Sequence, residues 1–319
     1  MSPPQLAPRV PLNDGTSIPA IGLGTYRATA IAGGDDNSTL GDVEKAVLEA
    51  IDAGYRLIDG ALLYETEDQV GRAVAAKISQ GAVTRADMYI VTKLWNNAHR
   101  PDLVEAACRQ SLANLGMDYV DLYLMHWPTA FKEGPDYVPR GADGQVLYSD
   151  VDILDTYRAM EELVRKGLVK SLGVSNFNSA QMRRLLGSCS IKPVINQVEA
   201  HPYLNQKRLV ALCRAAGVQE SPWSLGKQER LLDDKTLAAV GRTHGKAPGQ
   251  VILRYLVQSN LIPIPKSVTK ARIQENFSIF DFELSPQDMA TIDALNKDRR
   301  ICPFTEALGH PEYPFAIDY

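Results

Sequence analysis

The chain has 319 residues, of which 45% are hydrophobic and 23% charged, and its formal net charge is −4. That length fits two ordinary domains or one α/β barrel of roughly 250 residues with additions, in a water-soluble composition. The slight acidity and the lack of a basic block argue against a nucleic-acid surface, and no apolar run approaches the roughly 18 residues of a membrane span.

The start, "MSPPQLAPRVPLNDG", has no basic stretch followed by an apolar one, so no secretory signal is read there and a cytoplasmic location is expected. In "RVPLNDGTSIPAIGLG", Asn13-Asp14-Gly15 between two extended runs predicts a β-hairpin over about residues 10–20. "DVEKAVLEAIDAG" places Val43, Ala46, Val47, Ala50 and Ile51 on one helical stripe, stopped by Gly54 and followed by the strand "YRLID". "MYIVTKLW" is a second strand. "RPDLVEAACRQSLANLG" repeats the helical form, with Pro101 at entry, Gly116 past the exit, and Leu103, Val104, Ala107, Ser111, Leu112 and Leu115 on one face. "YVDLYLMH" follows as a strand. The same order returns in "ILDTYRAMEELVRKG" before "LVKSLGVS", in "QKRLVALCRAAG" before "VQES", and in "PGQVILRYLVQSN" before "LIPIPKS".

Strands alternating with helices imply parallel pairing, and no proline- or serine-rich linker divides them, so one domain over 1–319 is expected. An open dinucleotide-binding sheet would carry G-x-G-x-x-G near its start. Gly22 and Gly24 supply G-x-G, but Arg27 stands where the third glycine belongs, and no helix follows directly. A closed barrel predicts instead that polar groups gather at the C-terminal strand ends, where the loops build a site. The strands end in Asp59, Lys93, His126, Ser175 with Asn176, Gln197, Ser221, and Lys266 with Ser267. The expected fold is therefore α/β, a (β/α)8 TIM barrel. The N-terminal hairpin closes its bottom, and residues from about 285 to 319 form an extra helix and a tail on the substrate side.

The four cysteines (Cys108, Cys189, Cys213, Cys302) show no C-x-x-C spacing and read as free thiols in a reducing compartment; no metal site is expected. Tyr89 and Lys93 have the Y-x-x-x-K spacing of the short-chain dehydrogenases. On a strand, however, that spacing leaves them about 13 Å apart, whereas the short-chain pair needs one helical turn.

"IDGALLY", "VTKLW", "LMHWP", "SLGVSNF", "INQVEAHP" and "IPKSVTKARIQEN", in that order over about residues 10–300, closely resemble the aldo-keto reductases of the animal aldose and aldehyde reductase branch. The resemblance implies a catalytic tetrad of Asp59, Tyr64, Lys93 and His126. Its chemistry is arguable from residue types. Reduction of a carbonyl requires hydride at carbon and a proton at oxygen. A tyrosine of ordinary pKa near 10 supplies that proton if an ammonium such as Lys93 draws its pKa down. Asp59 is the carboxylate that a lysine at a barrel mouth requires, and His126 orients the carbonyl.

The resemblance further implies NADPH (NADP+) as cofactor. Ser175, Asn176 and Gln197 would take the nicotinamide carboxamide, with Gly24, Thr25, Tyr26 and Asp59 beside it. Lys266, Ser267, Val268, Thr269 and Arg272 would take the 2′-phosphate, where two cations and helix-terminal amides suit a dianion. Glu275 and Asn276 would meet the adenine. Tyr26, Tyr64, Trp95, His126, Trp127, Cys302 and Phe304 would form an aromatic-rich pocket for a small-molecule carbonyl substrate, in a monomer without nucleic-acid or membrane partners.

Two departures stand out. Gly60 replaces the family's usual threonine beside Asp59, which predicts some loss of preorganisation if nothing compensates. In "GVQESPWSLGKQERLLDDK", Pro222 precedes Trp223, so Trp223 is the stacking residue with its register left open; Ser224 and Leu225 would cradle the pyrophosphate. Few residues then separate Gly226 from the next helix, and the loop expected to fold over the cofactor is short, which predicts faster cofactor release. A catalytically weak member acting as a crystallin-like or channel-β-subunit-like binder, and a Schiff-base enzyme using Lys93, remain as alternatives. The identity of the substrate, whether sugar, lipid aldehyde, steroid or ecdysteroid, is left open.

Overall fold

The computed structural model describes residues 5–26, 41–223 and 231–317. Ser224 and Leu225, with the rest of the short loop before residue 231, lie outside the described residues. Strands β1 (Arg9–Pro11) and β2 (Ser17–Pro19) form the expected antiparallel hairpin, with Val10 opposite Ile18. The hairpin plugs the bottom of a barrel. Leu12 and Ile18 are buried among Leu57, Tyr89, Leu122 and Ile195, and Ser171 Oγ donates to Asp14 Oδ2 at 2.5 Å.

Strands and helices then alternate: β3 (Leu23–Gly24), α1 (Asp42–Ala53), β4 (Leu57–Asp59), α2 (Glu67–Ser79), β5 (Tyr89–Leu94), α3 (Pro101–Leu115), β6 (Val120–Met125), α4 (Ile153–Arg165) and β7 (Val169–Ser175). There follow α5 (Ser179–Leu186), β8 (Ile195–Glu199), α6 (Lys207–Ala215), β9 (Gln219–Trp223), and the helices α7 (Lys235–His244), α8 (Pro248–Gln258), α9 (Lys270–Phe277) and α10 (Pro286–Asp293). Strands β3 to β9 lie side by side in chain order, all parallel.

The eighth stave differs from expectation. "LIPIPKS" runs beside β9 and β3, but only Lys266 makes a formal bridge, to Gly24. Two prolines are the reason, since neither carries an N–H for a ladder. Ile262 N and Ile264 N donate to Glu220 O and Pro222 O at 3.1 Å on one side, while Pro263 O and Pro265 O accept from Gly22 N and Gly24 N at 3.0 Å on the other. The seam to β3 is therefore bonded in one direction only. The Gly22-x-Gly24 pair serves this closure: a Cβ on Gly22 would lie 2.9 Å from Ile264 Cγ2, and one on Gly24 3.1 Å from Ile264 O.

The main core fills the space between sheet and helices. Helix α1 buries the five residues of its predicted stripe. At about 1.5–3 kcal/mol for each fully buried large aliphatic, that burial outweighs its missing side-chain N-cap, worth about 1 kcal/mol. On α3 the stripe is rotated slightly from the expectation: Cys108 is buried, whereas Leu103 and Ala107 are half-buried.

Side chains alternate across each strand, and register decides what reaches the barrel mouth. Tyr89, Val91 and Lys93 rise along the interior of β5, with Asp59 opposite Val91 and Lys93 opposite Leu124. Tyr89 belongs to the bottom interior cluster, so its spacing from Lys93 is two steps of a strand.

Candidate active site

Lys93 is completely buried, and its ammonium uses all three donors. Nζ donates to Asp59 Oδ1 at 2.6 Å, to Gly60 O at 2.8 Å and to Tyr64 Oη at 3.3 Å. The other Asp59 oxygen, Oδ2, accepts from Gln197 Nε2 at 2.8 Å. Tyr64 closes a short 3-10 turn, Leu62–Tyr64, which ends on Glu65 in the left-handed region at φ 52°; that turn brings the phenol back over the mouth. His126 follows β6 and meets the Tyr64 ring edge-on at a centroid distance of 5.6 Å. The four groups of the expected tetrad are thus gathered at one place from β4, its loop, β5 and β6.

The electrostatics depart from the expectation in one respect. Burial, then the charge of Asp59, pushes the Tyr64 phenol well above its ordinary value. Lys93 does not reverse this: its Nζ lies closer to Asp59 Oδ1, at 2.6 Å, than to Tyr64 Oη, at 3.3 Å. Burial also lowers the Lys93 ammonium, against the opposing pull of Asp59. Burial and then Lys93 hold His126 well below the usual histidine range, as a neutral imidazole. The site therefore presents a protonated phenol beside a neutral imidazole, an arrangement suited to giving a proton rather than taking one.

Gly60 does not loosen the site. Its N–H donates to Val91 O at 2.8 Å, its carbonyl accepts from Lys93, and Thr25 N and Oγ1 both donate to Asp59 O, at 3.0 and 2.8 Å. These bonds supply the compensation. A Cβ on Gly60 would meet Val91 O at 3.4 Å and Thr25 Oγ1 at 3.6 Å, which is ordinary contact. Gly60→Ala is accordingly expected to raise stability by about 0.4–1 kcal/mol, through the unfolded chain, with unchanged turnover. Denaturant unfolding alongside a rate assay checks it, and a less stable protein would contradict the geometry.

On the cofactor side, Ser175 Oγ donates to Gln197 O at 2.7 Å, and Asn176 Nδ2 donates to His126 O at 2.9 Å. Asn176 stands at φ 61°, and its Oδ1 is buried without a partner. An unmet acceptor between Ser175 and the tetrad fits the N–H of a carboxamide, so the residues present suit the implied nicotinamide. Trp223 shares the inward face of β9 with Ser221 and is half-buried against the interior cluster. Gly24 and Thr25 sit in the β3 seam, and Tyr26 meets Tyr64 edge-on at 5.1 Å. Around α9, Lys266, Thr269, Arg272 and Glu275 are exposed, Val268 and Asn276 half-buried and Ser267 buried. Thr269 gives no side-chain cap, so first-turn amides remain open to an anion.

The aromatic wall is larger than expected. Trp127 stacks on Phe304 at 4.1 Å and 22°. Trp95, 1% exposed, lies edge-on to His126 at 5.1 Å and donates Nε1–H to Tyr137 O; it backs the imidazole. Cys302 is near enough to influence Tyr64. Phe131, Tyr137, Tyr148, Tyr313 and Phe315 also belong to this cluster. Phe315 and Tyr313 carried a signal in the aromatic spacing of "PEYPF"; Phe131 and Tyr148, on the long loop after β6, carried none.

The aldo/keto reductase family pattern matches residues 20–297. The chain belongs to the aldo/keto reductase family. Among its relatives, prostaglandin F synthase 1 of Bos taurus is 42% identical over 324 residues, 98% of each chain. Aldo-keto reductase family 1 member A1 of Mus musculus is 42% identical over 333 residues, covering 98% of this chain and 99% of that protein. Among solved structures, the aldose reductase of Schistosoma japonicum superimposes with a TM-score of 0.92 at 39% identity, over 98% of this chain and all of that one. A Bombyx mori aldo-keto reductase in complex with NADP gives 0.88 at 40% identity, over 97% and 99%. The (β/α)8 barrel is thereby the family's, and the chain is an oxidoreductase of this family. Among the described residues no helix is long and apolar enough to cross a membrane.

Proposed function

We propose that this protein reduces aldehydes and ketones to alcohols with NADPH, Tyr64 giving the proton to the carbonyl oxygen. When bound, NADPH supplies the hydride. The observation that carries the reading is the three-way grip of Lys93 on Asp59, Gly60 and Tyr64. It fixes the phenol in place, while burial and the charge of Asp59 keep it protonated at neutral pH. His126, neutral and edge-on to Tyr64, directs the carbonyl oxygen toward the phenol. Trp127, Phe304, Cys302 and Tyr26 exclude water from the mouth and favour substrates with an apolar body.

Ser175, Asn176 and Gln197 would hold the carboxamide, and Trp223 would lie against the ring. Ser267 and Val268 would offer backbone amides to the 2′-phosphate, Thr269, whose own N–H donates to Ser267 Oγ at 3.1 Å, its side chain, Lys266 and Arg272 their charge, and Glu275 and Asn276 the adenine contact. Gln197 has a second part, because its amide also holds Asp59 and so ties the cofactor-side residues to the tetrad. Arg272→Ala is expected to raise KM for NADPH by about 10-fold or more with little change for NADH, since a phosphate–guanidinium pair is strong and geometric. Paired steady-state assays check this, and an unchanged cofactor ratio refutes the phosphate assignment.

The Schiff-base alternative is disfavoured by the same grip: a buried Lys93 with every donor engaged offers no free amine. A binder without turnover is disfavoured by the completeness of the tetrad. Four cysteines without disulfides support a reducing, cytoplasmic setting, and we take the working unit to be the monomer.

A further inference from the structure

Glu199 ends β8, two residues above Gln197, and has no surface exposure. Its Oε1 accepts from Ile301 N at 2.6 Å and contacts His201 Nε2 at 2.9 Å, and its Oε2 accepts from Cys302 N at 2.9 Å. None of these partners belongs to the tetrad. We infer that Glu199 is a positioning residue for substrate selectivity: it latches the C-terminal segment whose Cys302 and Phe304 wall the active site. The inference rests on the reduction reading above, in which that wall faces substrate.

The latch is the inner end of a longer seam. Lys297 N and Arg299 N both donate to Tyr203 O, at 3.0 and 3.1 Å, and Asn205 N donates to Asn296 Oδ1 at 3.0 Å. Those bonds lie on the outside of the segment, where Lys297 and Arg299 are exposed. Further in, the backbone N–H groups of Ile301 and Cys302 both go to the carboxylate. Charge-assisted bonds from backbone amides to a buried carboxylate are stronger than neutral ones. Two residues later, Phe304 adopts φ 49°, ψ 63°, a left-handed conformation that an aromatic residue rarely takes. In that conformation it stacks on Trp127. A fixed anchor immediately upstream is what such a backbone requires. Tyr313 Oη donates to Pro303 O at 2.6 Å and Ala307 N to Phe304 O at 3.1 Å, so loss of Glu199 removes the upstream anchor of Phe304 and loosens its stack on Trp127 while the downstream anchors remain.

The test uses the full-length protein, with Glu199→Gln and Glu199→Ala. Glutamine keeps one acceptor oxygen but turns an NH2 toward the other amide, so it should act in the same direction as alanine, less strongly. Amide exchange of the peptide around residues 299–306 should quicken by about 10-fold in Glu199→Ala, with barrel strands unchanged. KM for a naphthaldehyde should rise at least about fivefold, while turnover of propanal stays within about twofold. In a Phe304→Ala background, Glu199→Gln should add little to the loss on the bulky aldehyde, because the two act as a unit. Equal losses on both aldehydes, or full additivity with Phe304→Ala, would overturn the positioning role. Unchanged exchange would overturn the latch itself. If the wild type reduces neither aldehyde, the reduction reading fails, and the exchange measurement still decides the latch.

Discussion

Replacing Tyr64 by phenylalanine is expected to lower kcat for carbonyl reduction by about 10²–10⁴, or about 2.7–5.5 kcal/mol of barrel-mouth catalysis, with NADPH affinity retained. Phenylalanine keeps the ring packed between Tyr26 and His126 and removes the proton donor together with the long 3.3 Å acceptor contact to Lys93. The pH dependence follows from the directions of the shifts. Since Tyr64 is held well above 10 and is protonated over the whole neutral range, reduction should run flat across roughly pH 6 to 9. Since His126 lies well below 6.5, no limb should appear at the usual histidine value. Alcohol oxidation needs the phenolate and should climb steadily with pH. A pH–rate profile in both directions checks this; a reduction rate falling with an inflection near pH 7 to 8 would mean an acidified tyrosine, as the sequence alone suggests. Lys93→Met is a harsher change, because it leaves Asp59 buried and uncompensated at a cost of about 3–5 kcal/mol. A loss of folding there and a clean loss of rate in Tyr64→Phe would separate scaffold from chemistry.

The meeting of Asp59, Lys93 and His126 is legible because parallel-strand geometry puts the last inward residue of each strand, or its immediate successor, at the mouth; Tyr64, on a loop, is legible only through the family resemblance. What is not legible is anything fixed across the barrel. Gln197 lies 138 positions from Asp59, and no local pattern pairs them. The direction of the Tyr64 shift also escaped, because it depends on burial and on the nearness of the Asp59 charge. "LIPIPKS" reads as a strand by its apolar run, yet its prolines leave one edge without donors. Gly60 reads as a weakness when considered alone and is held on both sides by Thr25, Val91 and Lys93. Glu199 stands in plain view in "INQVEAHP", but its partners Ile301 and Cys302 are about a hundred residues away.

Glu220 is the second residue from which a large effect is expected, and it lies outside the site. It faces outward from β9 toward α6, is 2% exposed, and has Oε2 without a partner. Its nearest polar neighbours are Asn196, whose Nδ2 is 3.5 Å from Oε1, and Cys213, itself raised by burial. Burial lifts the Glu220 acid from 4.5 to about 8. The folded state thus holds a proton that the unfolded state releases. No penalty exists below pH 4.5. Stability then falls by about 1.4 kcal/mol per pH unit as the unfolded chain ionises, until the folded acid also ionises near pH 8. The accumulated cost at alkaline pH is on the order of 3–5 kcal/mol. Glu220→Gln removes this titration and leaves every other group in place, so the stability difference between variant and wild type should widen from pH 5 to pH 8 and level off above. Urea unfolding at several pH values measures it. A difference that stays constant with pH would show that Glu220 is ionised in the folded protein and paired in a way the β9–α6 packing does not provide.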